Sequence, residues 1–188
     1  MHSIELLLDG SADARVRAQW AALSDAGLPS QADHASSSNS PHVTLLARRG
    51  IDGTADPALT ELLDRLLPLP VVLGAPLVFG HGRGHVLVRS IVATRALLDL
   101  QAEVHAIVGG EDDVTHSSPG LWVPHVTLAS RLDAEAVGRA LAAVEAFEDE
   151  EAREAPEGAR GPVVTPASSL VSGRRWDPSV RTVVVLGR

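Results

Sequence analysis

Pro41-His42-Val43-Thr44-Leu45 recurs, residue for residue, as Pro124-His125-Val126-Thr127-Leu128. Self-similarity within one chain is the first signal of a repeated structural unit. The repeated string also carries chemistry. In a β-strand, side chains at i and i+2 point to the same face. Each copy therefore presents an imidazole and a hydroxyl side by side, while Val43 and Val126 turn away. Imidazole titrates near neutral pH, so one ring can take a proton while the other gives one. Hydroxyls beside them can donate to oxygens on which negative charge accumulates. Two such strands facing one groove hold the equipment for metal-free acid–base chemistry on a phosphate.

Both copies must be positioned by what surrounds them. Residues 3–9 read as a buried strand, and Ser11 can cap a helix to about Ala26 with Val16, Trp20 and Leu23 on one face. A polar loop at 30–40 leads into the first histidine strand, about 42–48. Asp56-Pro57 opens a short helix that Pro68 and Pro70 end. Residues 71–79 and 85–93 read as strands joined by a hairpin at Gly80-His81-Gly82-Arg83-Gly84. The order then repeats. Thr94 caps a helix to Val108, a polar loop spans 110–120, and the second histidine strand covers about 122–131. Asp133 caps a helix to Phe147. The acidic stretch 148–157 reads as solvated loop. Strands at about 162–171 and 180–187 flank a turn at Gly173-Arg174-Arg175-Trp176. Pro70-Val71-Val72 is echoed by Pro162-Val163-Val164. The expected fold is α+β, a single bilobal domain over 1–188. Its pseudo-two-fold halves, about 1–93 and 85–188, carry antiparallel sheets lining a central cleft and helices outside.

Composition narrows the function. The 188 residues are 45% hydrophobic, enough for a sizeable core. Lysine is absent, all 16 basic residues are arginine, and the formal net charge is −8. An extended nucleic-acid surface would show a basic face, so none is expected. Without cysteine, disulfides and thiolate metal sites are excluded. There is no His-Glu-x-x-His, and His81 and His85 are separated by helix-breaking glycines, so neither metal nor other cofactor is expected. No apolar run reaches a membrane span's length and no signal peptide is evident. A cytoplasmic monomer is the expectation.

Two His-x-Thr motifs, one per half, each on a strand followed by a helix, resemble the two-histidine phosphoesterase superfamily. The likeness is nearest to its bacterial 2′-5′ RNA ligase and RNA 2′,3′-cyclic phosphodiesterase branch. The resemblance implies a bilobal fold and metal-independent catalysis. It implies His42 and His125 as general acid and base, with His125 the base, and Thr44 and Thr127 holding phosphoryl oxygens. The implied substrate is a 2′,3′-cyclic phosphate or related 2′-5′ phosphodiester of a small nucleotide or RNA terminus. RNA ligation at the same site and a non-catalytic nucleotide- or RNA-binding module are the alternatives.

Other residues are weaker candidates. Arg174 and Arg175, in the expected hairpin, and Arg83, its counterpart in the other half, could attract phosphate at the groove's rim. His85, at a strand start, could reach the cleft. His34 and His116 lie in the loops before the histidine strands, where such side chains are usually solvated.

Overall fold

The computed structural model describes residues 1–36, 38–80, 84–110, 114–154 and 168–187. In chain order the elements are β1 His2–Leu8, α1 Gly10–Asp25, β2 His42–Arg48, α2 Asp56–Leu66, β3 Leu69–Val71, β4 Leu73–Phe79 and β5 His85–Ile91. They continue with α3 Arg95–Val108, β6 His125–Leu132, α4 Ala134–Glu154, β7 Ser168–Asp177 and β8 Thr182–Leu186. Among the described residues these form two sheets, both antiparallel, of α+β class. One runs β2-β1-β7-β3, with β8 also pairing β7; the other runs β4-β5-β6. On the far edge of β7, β3 meets Ser168–Leu170 and β8 meets Gly173–Asp177, so they lie end to end.

Neither sheet comes from one half of the chain. β7 and β8 join β1 and β2, while β4 joins β5 and β6. The helices cross in the same way. α2 and α3 pack on the first sheet and α4 on the second, while α1 touches β6 of the second sheet as well as β1 and β7 of the first. One continuous cluster, from Ile4 and Leu6 through Leu87 and Leu128 to Leu186, fills the interior.

Local chemistry explains the helix ends. Asp9, two residues before the expected Ser11, caps α1 by accepting from the Ala12 amide at 2.9 Å. Thr94 and Asp133 cap α3 and α4 as the sequence indicates. Gly109, at φ 61°, ends α3.

Two further expectations are corrected. The acidic stretch is helical to Glu154. Residues 139–155 hold neither Gly nor Pro and are rich in Ala, Glu and Arg, which favour helix. Glu148 meets the buried Arg89, and Glu151 meets Arg15 at 2.7 Å, so these acids bind the helix to its neighbours. Nor is Gly173-Arg174-Arg175-Trp176 a turn: it lies inside β7. Gly173 is required by close approach, since a Cβ there would sit 2.3 Å from a Leu63 methyl of α2. The chain turns after Asp177, whose carboxylate accepts from the Ser179 amide at 2.9 Å. Residues 162–164, the echo of Pro70-Val71-Val72, lie outside the described residues.

Candidate active site

Each histidine strand alternates as a strand with one buried face should. Val43, Leu45, Val126 and Leu128 are buried, while His42, Thr44, His125 and Thr127 are half-buried on the other face. The two rings are held identically. His42 Nδ1 donates to the Ser40 carbonyl and His125 Nδ1 to the Val123 carbonyl, both at 2.7 Å. A carbonyl only accepts, so each Nδ1 carries hydrogen and each Nε2 is left for proton transfer.

The duplication extends to the register. Thr44, Val43 and His42 face Glu5, Leu6 and Leu7 across β1. Thr127, Val126 and His125 face Val88, Arg89 and Ser90 across β5. The offset that carries His42 onto His125 carries each of these partners onto its counterpart. It also carries one pairing irregularity, between Ile4 and Glu5, onto that between Leu87 and Val88. Bulges re-aim side chains, and here both lie beside the threonine of a motif.

The motifs are braced across the sheets. Trp20 of α1 donates its indole N–H to the Thr127 carbonyl, and Trp122, just before β6, donates to the Thr44 carbonyl, both at 3.0 Å. β2 and β6 touch, and His42 is near enough to act electrostatically on His125.

The electrostatic surroundings differ. His42 Nε2 lies 3.7 Å from the Glu5 carboxylate, which is 5% exposed. Glu5 accepts from the Ser3 hydroxyl at 2.5 Å and from Arg174 Nε at 2.7 Å. Burial alone would raise the Glu5 pKa, but His42, Arg174 and Ser3 together hold it below the ordinary carboxylate value. Among the described residues His125 has no such carboxylate, because Val88 stands where Glu5 does. Phe79 meets its ring edge to face, with centroids 5.0 Å apart. Burial pushes the His125 pKa below its ordinary value, and His116 and His42 push the same way against the Val123 hydrogen bond.

Two clefts open at the site. A cleft of about 230 Å³ joins His42 to Thr127, residues of different sheets, with Trp20, Gln31, Asn39 and Ser40 around them. A larger one of about 530 Å³ lies beside His125, between the Phe79–Gly80 end of β4, Val86 of β5, and His116, Leu121 and Val123. Among the described residues, no three His, Cys, Asp or Glu side chains converge as a metal site would.

The sequence matches the profile of the 2′-5′ RNA ligase superfamily over residues 12–157, a span that holds both motifs. The chain belongs to the 2′-5′ RNA ligase superfamily. No curated protein matches it significantly. Membership in this superfamily supports an enzyme of phosphoesterase or ligase-like activity. No helix among the described residues is long and apolar enough to cross a membrane.

In this superfamily member the weaker candidates scatter. Arg174 and Arg175 are not rim residues, because β7 buries both to 8% exposure on opposite faces of the sheet. Arg174 spans Glu5 and the Ser38 carbonyl, holding the segment before β2. Arg175 grips Asp56 with two nitrogens at 2.8 and 2.7 Å, at the start of α2. His85 gives Nδ1 to the Leu132 carbonyl at 3.2 Å, and it is its neighbour Val86 that lines the larger cleft. Arg83 lies outside the described residues. His116 lines the larger cleft, whereas His34 lines neither. Sequence reasoning missed Glu5, Phe79, Trp122, Gln31 and Asn39 as site residues. Only Glu5 had a signal, as the one charge within Ser-Ile-Glu-Leu-Leu-Leu.

Proposed function

We propose that this protein is a metal-independent phosphoesterase that hydrolyses a 2′,3′-cyclic phosphate, or a related 2′-5′ phosphodiester, of a nucleotide or RNA end. His125 takes the proton of the attacking water and His42 protonates the departing ribose oxygen. Thr44 and Thr127 donate to the non-bridging oxygens. The observation that carries the reading is the matched anchoring of both rings, which leaves two Nε2 atoms for one phosphate. General acid or base help is worth about 10²–10⁴-fold per group. The depressed pKa of His125 suits a base that must be neutral at pH 7. Hydrolysis is preferred to ligation because many described arginines, among them Arg89, Arg174 and Arg175, are already committed to carboxylates. That leaves less cationic surface for holding two RNA ends.

The test is a substrate panel run in the presence of a chelator. It comprises 2′,3′-cyclic mononucleotides, oligonucleotides ending in a cyclic phosphate, and 2′-5′ dinucleotides. Chelator-resistant hydrolysis of the cyclic phosphates is expected. Activity that needs added metal, or tight binding with no turnover of any member, refutes it.

A further inference from the structure

The two clefts at the site differ in chemistry as well as size. The one beside His42 offers the amides of Gln31 and Asn39 and the hydroxyls of Ser40 and Thr127, partners for a sugar or a base edge. Beside His125 the lining is Phe79, Val86, Leu121 and Val123, and the polar side chains among the described residues are His116 and His125 alone. Leu121 is 61% exposed and Val123 43%, apolar side chains left in solvent on the segment that leads into a histidine strand. At about 530 Å³ the cleft falls within the range of small-molecule sites and far exceeds the roughly 30 Å³ share of one water. It is therefore larger than an attacking water needs. Among the described residues a nucleobase placed there would find partners for few of its donors and acceptors, which is unfavourable.

We propose that the cleft beside His125 binds an apolar alkyl or aryl ester group of an open phosphodiester, in the place that the attacking water takes once that group has left and the cyclic phosphate has formed. The inference rests on the two-histidine reading, since it places the phosphate between His42 and His125. The substrate then spans the site with its polar part toward Gln31 and Asn39 and its apolar part against Phe79 and Leu121.

Calorimetric titration of the whole protein with n-alkyl phosphates, methyl to hexyl, tests it without turnover. Affinity should rise about fourfold per methylene, the value of burying one CH₂, until the cleft is filled. Leu121→Ser changes a largely exposed side chain, so the fold is not at risk, and it should flatten the rise; Val123→Thr should do the same more weakly. Equal affinities along the wild-type series overturn the proposal. So does a nucleoside monophosphate whose affinity, in place of hexyl phosphate's, falls in Leu121→Ser. Turnover of cyclic phosphates with a flat alkyl series removes this inference and leaves the proposed chemistry. A graded series without turnover supports the cleft and removes the chemistry.

Discussion

Glu5 and Val88 hold equivalent places in the two halves, Glu5 opposite Thr44 and Val88 opposite Thr127. One is a buried carboxylate beside a histidine, the other a buried alkyl group. A site built from duplicated parts is thereby made unequal, at this pair of positions and again where Phe79 packs against His125. The inequality favours division of labour, since two identical rings have no reason to differ in protonation.

Replacing either histidine should separate chemistry from folding. His42→Ala and His125→Ala each remove a half-buried ring, so circular dichroism and melting should change little while kcat for a cyclic phosphate falls by at least about 10²-fold. Groups that act as a unit are non-additive, and the double variant should lose little beyond either single one. Wild-type turnover in His125→Ala would refute its role.

Thr44→Ala and Thr127→Ala should each cost about 2–4 kcal/mol of transition-state stabilisation, read from kcat/KM, by analogy with losing one donor from a charge-stabilising site. The two losses should be similar, since the braced carbonyls fix both strands alike. A change in KM with kcat untouched would mean the hydroxyls hold ground and transition states equally.

The pH profile of kcat/KM should have its acidic limb below the ordinary histidine value of about 6.5. Burial depresses the His125 pKa, so the base stays neutral to lower pH. The same shift acts on stability with a definite sign. Unfolded, His125 protonates near its ordinary value while the folded ring does not. Its contribution is thus neutral above that pH and increasingly unfavourable as pH falls from there to the folded pKa. Chemical denaturation at several pH values, compared between wild type and His125→Ala, measures it.

Glu5→Gln should destabilise the protein by about 3–5 kcal/mol at pH 7, because it leaves the Arg174 guanidinium buried beside a neutral amide. Pairing it with Arg174→Met should recover much of that loss. The Glu5 carboxyl titrates below its ordinary value, so its stabilising contribution is complete above about pH 4.5 and disappears as pH falls through the folded pKa. Urea unfolding of the wild type should show this acid-side loss, and Glu5→Gln should lack it.

Much of this was legible in the chain. The paired Pro-His-Val-Thr-Leu strings, the caps at Thr94 and Asp133, and the strand–helix–loop–strand order all rest on local chemistry that a sequence displays. Gly173 was misread because a glycine demanded by a neighbouring helix looks the same as one demanded by a turn. The charged run of α4 was misread because Glu148 and Glu151 find their arginines on β5 and α1, far off in sequence. The apolar residues of the second cleft were invisible for the same reason: Phe79 reaches His125 only once β4, β5 and β6 stand side by side.

The exchange of strands between halves bears on how the protein is made. β1 sits between β2 and β7, and β7 is among the last elements synthesised. Until it emerges, the first sheet lacks the strand that joins β1 to β3, while β4, β5 and β6 already have every partner they need. Contacts so distant in sequence slow folding, because a long loop must close before it is rewarded. The second sheet is therefore able to assemble on the ribosome, and the first must wait for the C-terminal segment. A chain truncated before Ser168 would carry both Pro-His-Val-Thr-Leu strings and still lack the strand whose Arg174 holds Glu5 beside His42.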